Sequence, residues 1–145
     1  MRKSWDAYFL DIAHLVATRS TCDRLHVGAL IVKDKNIIAT GYNGSPSGMP
    51  HCDEVGHEME GGSCVRTIHA EQNALLQAAK HGHSVEGSNL YITHSPCYTC
   101  AKLIVTSGIQ RVYVSELFRS TKGVDLLKEA GVYFEVITQS NGLEI

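Results

Sequence analysis

Pro96 separates a strand pattern from a helix pattern, and the alternation of the two from there onward constrains the fold most strongly. Asn89 to Thr93 reads as a strand, which Pro96 keeps from continuing while suiting the first turn of a helix. Cys97 to Thr106 carries helical spacing, and Gly108 supplies its C-terminal stop. Arg111 to Ser115 reads as a strand, Gly123 to Ala130 as a short helix and Tyr133 to Thr138 as a last strand. Three strands separated by helices are expected to run parallel through right-handed crossovers. Upstream, Trp5, Tyr8, Phe9, Ile12, Leu15 and Val16 recur every three or four residues, predicting an amphipathic helix over residues 4–19 with Ser4 as its N-cap. Val27 to Val32 and Asn36 to Tyr42 are strands joined by Lys33-Asp34-Lys35, short enough for a hairpin. Residues 43–68 are nearly aperiodic and rich in Gly, Ser and Pro, and a loop that long argues for a function or for something that pins it. Helical spacing resumes at Ala70, Ala74, Leu75 and Ala78 and ends near His81-Gly82. The order predicts an α/β fold: one mixed sheet of five strands with helices on both faces, in a single domain over residues 1–145. Ligands on such sheets bind beyond the carboxyl ends of the strands, at helix N-termini.

Two segments fall where that rule points. One is Ser95-Pro96-Cys97-Tyr98-Thr99-Cys100-Ala101-Lys102, whose two cysteines at i and i+3 share a helix face. The other is Thr67-Ile68-His69-Ala70-Glu71, which opens the preceding helix. Cys-x-x-Cys alone also suits a structural zinc knuckle or a redox pair; His-x-Glu upstream, Pro before the first Cys and the intervening strand favour a catalytic metal. A catalytic zinc keeps three protein ligands and one open position, which His69, Cys97 and Cys100 provide. Two thiolates leave such a zinc a weaker acid, so a neighbouring base becomes valuable, and Glu71 stands two residues from the histidine. Alone, a first-turn Glu would more often simply complement the helix dipole.

The five cysteines are Cys22, Cys52, Cys64, Cys97 and Cys100. With no apolar leader and no span of about 20 apolar residues, the chain is expected in reducing cytoplasm, where cysteines serve metals or catalysis. A formal charge of −2 with no basic block disfavours long polynucleotides as partners but leaves room for a local basic pocket.

His-x-Glu followed by Pro-Cys-x-x-Cys is a known mark of zinc deaminases, in which the Glu is no ligand. With Gly41-Tyr42-Asn43-Gly44 after the second strand, and with Cys64-Val65-Arg66 ahead of His69, the chain resembles the deoxycytidylate (dCMP) deaminase family of the cytidine deaminase superfamily, from about Trp5 to Val136. The resemblance implies a three-layer α/β/α cytidine-deaminase-like fold and hydrolysis of dCMP to dUMP and ammonia, with Glu71 carrying protons from water to the ring nitrogen and the leaving amine. It implies a homo-oligomer, a hexamer in many relatives, activated by dCTP and inhibited by dTTP, with Mg2+ beside the effector triphosphate. Gly41, Tyr42, Asn43 and Gly44 would meet the effector; Asn43 would also reach the substrate sugar, and the Ala70 N–H and Ser95 carbonyl the pyrimidine edge. The turn reading of Gly41 to Gly44 remains open, since Asn-Gly is a common turn pair. For the phosphate, Arg24 is the first candidate, with Arg119, Lys102 and Lys122 as alternatives. Relatives often have tyrosine where Phe118 stands.

Three cysteines remain. Cys52-x4-His57-x6-Cys64, with Cys22 from the first loop, makes a Cys3His set suited to a structural zinc, and some bacterial and phage dCMP deaminases carry a second zinc here. His51 is the other choice for the histidine, while His26 is expected to be ordinary packing. Two other readings stand beside the enzyme: a deaminase acting on a base in RNA or single-stranded DNA, which a charge of −2 and few aromatics disfavour, and a zinc-binding, nucleotide-sensing subunit, which would not need Glu71.

Overall fold

The structure, a computed structural model, describes residues 2–22, 25–60, 63–64 and 66–138; of Asp53, Ser63 and Cys64 it describes the backbone. Helix α1 (Trp5–Ala17) begins at the expected cap, with Ser4 Oγ accepting from the Ala7 N–H at 3.2 Å. Strands β1 (Gly28–Lys33) and β2 (Asn36–Tyr42) form the expected hairpin. Asp34 and Lys35 turn it with φ of 51° and 63°, the double left-handed conformation that matches strand twist in a two-residue loop. His26, expected to be packed, is instead exposed ahead of β1.

Residues 43–68 hold more order than their composition announces. They include a one-turn helix α2 (Cys52–Val55) and the strand pair β3 (Met59–Glu60) and β4 (Ser63–Cys64). Elements this short carry too few residues for a period, so only tertiary contacts reveal them. After them come α3 (Ala70–Lys80), β5 (Asn89–His94), α4 (Tyr98–Ser107), β6 (Arg111–Glu116), α5 (Lys122–Glu129) and β7 (Tyr133–Val136).

The sheet runs β2-β1-β5-β6-β7. β1 pairs antiparallel with β2 and β5, while β5, β6 and β7 are parallel. Alternating side chains build two cores. Leu90, Ile92, Val112 and Val114 pack with residues of α3, α4 and α5 on one face. Leu30, Val32, Tyr91 and Tyr113 meet Phe9, Leu10 and Ala13 of α1 on the other. The result is a mixed five-stranded sheet in a three-layer α/β/α arrangement, with one helix on one face and three on the other.

Two of the helix starts matter for the site. Pro96, expected in the first turn of α4, lies one step earlier, because Cys97 is the N-cap and its Sγ accepts from the Cys100 N–H at 3.5 Å. A sulfur here takes the capping place usually given to oxygen, and Pro96 stands just ahead of it. At α3, His69 is the N-cap, and Gln72 Oε1 accepts its backbone N–H at 2.9 Å. Gly108 ends α4 in the left-handed region, φ 86°.

Candidate active site

The parallel strand β5 ends at His94, and the chain turns through Ser95 and Pro96 directly into the Cys97 cap. The start of α3 faces this turn. His69 Nδ1 stands 3.2 Å from Cys100 Sγ and 3.6 Å from Cys97 Sγ. The three ligand atoms lie within 4.8 Å of one another. Zinc bonds of about 2.3 Å to sulfur and about 2.0–2.1 Å to nitrogen put tetrahedral N–S edges near 3.6 Å. One imidazole and two thiols at this spacing therefore fit a zinc ion.

The helix starts tune these groups. Hydrogen bonds from the Cys100 thiol and from His69 hold the Cys97 thiol down to about 4. Cys100 is pushed up by its bond to Cys97 and by burial. His69 is raised by its bond to Cys97. Glu71 is 5% exposed, and burial drives its carboxyl up to about 7. A carboxyl poised there can take a proton and return it near neutral pH.

A cleft of about 510 Å³ opens over these residues, with His69, Ala70, Glu71, Ser95 and Cys97 along one side. Leu25, Val27 and Asn43 form another wall, and Phe118 and Arg119 a third. Thr67, His94 and Cys22 complete it. Of the four cations considered for a phosphate, Arg119 lines the cleft, Lys102 rests over the Tyr98 ring and Lys122 is exposed at the start of α5. Arg24 lies outside the described residues.

The segment Gly41 to Gly44 stitches this region together. Gly41 lies so close to α3 that a Cβ there would run into the Ala70 carbonyl and the Ala74 backbone. The Tyr42 carbonyl accepts from Asn73 Nδ2 at 2.8 Å. Asn43 Oδ1 accepts from the Val27 N–H at 2.8 Å, and its Nδ2 donates to the Leu25 carbonyl at 2.6 Å. Gly44 and Ile68 exchange backbone bonds of 3.2 and 2.8 Å just ahead of His69. Asn43, expected at a substrate sugar, thus lines the cleft while its amide holds the loop before β1.

Cys22, Cys52 and His57 form a second group whose ligand atoms lie within 4.8 Å of one another, with Cys22 Sγ 3.7 Å from His57 Nδ1. His51 stands elsewhere, on a second cavity of about 540 Å³ that Gly41, Tyr42 and Ser45 also border. The side chain of Cys64 lies outside what is described, though its backbone pairs with Met59 in the β3–β4 ladder. Sequence reasoning passed over His94, whose one signal was its place directly before Ser95-Pro96-Cys97. It also gave no weight to Leu25 and Val27, which lead into β1 and reach the cleft because β1 and β5 are neighbours.

A three-layer α/β/α fold that gathers an imidazole, two thiols and a buried carboxyl at facing helix starts defines a zinc-dependent deaminase. The chain belongs to the cytidine and deoxycytidylate deaminase family, whose zinc-binding region matches residues 3–116. It is 47% identical over 137 residues to ComE operon protein 2 of Bacillus subtilis, covering 94% of this chain and 72% of that one. It is 42% identical over 123 residues to the deoxycytidylate deaminase of Mycobacterium phage D29, covering 77% of this chain and 94% of that one. The solved dCMP deaminase of cyanophage S-TIM5, in complex with dCMP and dUMP, superposes with a TM-score of 0.85 at 40% identity, covering 94% of this chain and 99% of that one.

Proposed function

We propose that this chain hydrolyses dCMP to dUMP and ammonia. The observation that carries the reading is Glu71, a buried carboxyl in the cleft beside the His69, Cys97 and Cys100 group. The family, and relatives named as deoxycytidylate deaminases, support the substrate. His69, Cys97 and Cys100 hold the catalytic zinc. When bound, zinc makes water acidic enough to be a nucleophile at neutral pH. Glu71 takes a proton from the attacking water, and the oxygen adds to the ring carbon that bears the amine. Glu71 passes that proton to the ring nitrogen, then takes the remaining proton from the added hydroxyl and gives it to the amine, which leaves as ammonia as the carbonyl forms. Ala70 and Ser95, both buried on the cleft wall, are placed to meet the pyrimidine edge, and Asn43 the sugar. Arg119 meets the phosphate from the third wall; Arg24 stays a candidate from the sequence.

Cys22, Cys52 and His57, with Cys64 as fourth ligand, hold a structural zinc that orders residues 43–68. The second cavity, which Gly41 and Tyr42 border with Ser45 and His51, supports an effector site at Gly41 to Gly44. dCTP as activator, dTTP as inhibitor, Mg2+ beside the triphosphate and a homo-oligomer, hexameric in many relatives, complete the reading. The test is steady-state kinetics on zinc-loaded protein with dCMP, dCTP, cytidine and deoxycytidine, with and without added triphosphates. Ammonia and dUMP from dCMP are expected; no turnover of dCMP with or without dCTP refutes the assignment.

A further inference from the structure

The third wall of the cleft is a loop, and its support comes from the turn that leads into the Cys97 cap. β6 stops at Glu116, α5 starts at Lys122, and Phe118 and Arg119 between them line the cleft without regular secondary structure. The Phe118 N–H donates to Ser95 Oγ at 2.6 Å, and Ser95 is 5% exposed. The Ser95 N–H donates in turn to the Glu116 carbonyl at 2.9 Å, so one residue grips the loop at two points.

A second grip lies alongside. His94 and Glu116 are the last register pair of the parallel β5–β6 ladder. His94 Nε2 stands 3.2 Å from Glu116 Oε2, and its Nδ1 lies 2.8 Å from Thr93 Oγ1. Thr93 Oγ1 also accepts from the Gly28 N–H at 3.2 Å, which leaves its hydroxyl hydrogen for His94 Nδ1. The proton of His94 therefore belongs on Nε2, facing Glu116. The imidazole is oriented from β1 through Thr93 and holds the root of the loop.

We infer that Ser95, through its hydroxyl, and His94, through Glu116, are positioning residues that fix the Phe118–Arg119 loop against the cleft and so set the preference for a phosphorylated over an unphosphorylated nucleoside. This rests on the proposed reading in which Arg119 meets the phosphate. The guanidinium of Arg119 lies over the Phe118 ring, 5.9 Å from its centroid. Releasing the Phe118 backbone therefore moves the ring and the cation together. Ser95 thus has two separate duties: its carbonyl at the base and its side chain at the loop that sorts substrates by charge.

The experiment compares wild type with Ser95→Ala, Ser95→Thr, His94→Gln and Arg119→Ala as zinc-loaded protein. Two readouts are taken: amide hydrogen exchange at Phe118, and KM and kcat for dCMP and deoxycytidine. The expected result is a protected Phe118 amide in wild type and in Ser95→Thr, with protection lost in Ser95→Ala. One hydrogen bond corresponds to about three- to tenfold. The ratio of kcat/KM for dCMP to that for deoxycytidine should fall by that factor in Ser95→Ala, chiefly through KM, fall by less in His94→Gln, and return in Ser95→Thr. An unprotected Phe118 amide in wild type overturns the anchor. Equal losses on both substrates in Ser95→Ala overturn its role in specificity. Full phosphate preference in Arg119→Ala overturns the reading of Arg119 while leaving the exchange result to stand or fall alone.

Discussion

Replacing Gly41 by alanine tests whether backbone contact between β2 and α3 sets the geometry of the site. The added Cβ would sit 3.0 Å from the Ala74 Cα and closer still to the Ala70 carbonyl oxygen and the Ala74 nitrogen, all of them backbone. Ordinary contacts of a carbon need about 3.5 Å or more, so α3 must withdraw by about 1 Å. Overpacking of this kind costs about 1–3 kcal/mol, which for a chain of this size lowers Tm by several degrees. The helix that withdraws carries Glu71 and is capped by His69. A displacement of about 1 Å at a catalytic group can cost on the order of 100-fold. Gly131→Ala is the control: its φ is 84° and nothing stands within 4 Å of an added Cβ. It should lose roughly 1 kcal/mol from left-handed backbone alone and keep its kcat. Thermal melts and ammonia release from dCMP read both quantities. A Gly41→Ala protein with wild-type Tm and kcat would refute the reasoning, and so would equal kcat losses in the two variants.

Glu71→Gln should lower kcat by about 10²–10⁴ with zinc content unchanged on elemental analysis. In metal-free protein, raising the Glu71 carboxyl from 4.5 to about 7 makes folding lose stability as pH rises from 4.5 through 7, by on the order of 3 kcal/mol in all; Glu71→Gln should abolish that loss in urea titrations. His14 is lowered by burial and by the nearby His94 charge, while its Nε2 lies 2.7 Å from Ser115 Oγ. The unfolded chain then binds the extra proton, so His14 removes stability as pH falls below about 6.5. Because Glu71 acts in the opposite direction there, the readout is the difference in Tm between wild type and His14→Gln at pH 7.5 and 5.5, and a constant difference would count against the burial account. Cys52→Ser should reduce zinc from two equivalents per chain to one and lower Tm; unchanged content removes the second site.

The elements that sequence made legible are those long enough to repeat a pattern. Residues 4–19, the hairpin and the alternation after Asn89 each announce a period, and their order alone implies parallel β5, β6 and β7. The metal group was legible because its ligands come in two short runs, each opening a helix. What stayed hidden depends on distance in space. Nothing local tells that Cys97 Sγ, rather than a residue before it, caps α4. The four-residue α2 and the two-residue strands β3 and β4 are too short to repeat any pattern. Gly41 reads as a turn glycine, while its lack of a side chain is needed where β2 meets α3. The amide of Asn43 reads as a ligand contact, yet both its ends hold the loop before β1.

The burial that costs stability at Glu71 also supplies its chemistry. An exposed glutamate, near 4.3, would stay ionised through neutral pH and return a proton poorly. A carboxyl held at about 7 is equally ready to take one and to give one. Keeping it there requires α3 to lie tight against the sheet, which Gly41 permits by presenting bare backbone to Ala70 and Ala74. Small side chains continue that contact along the helix, where Ala70, Ala74 and Ala78 are all fully packed. The other walls of the cleft come from elsewhere in the chain: the segment before β1, tied by Asn43, and the loop after β6, tied by Ser95. On the proposed reading, changes in those walls should alter which nucleotide enters while leaving the helix contact that buries Glu71 in place.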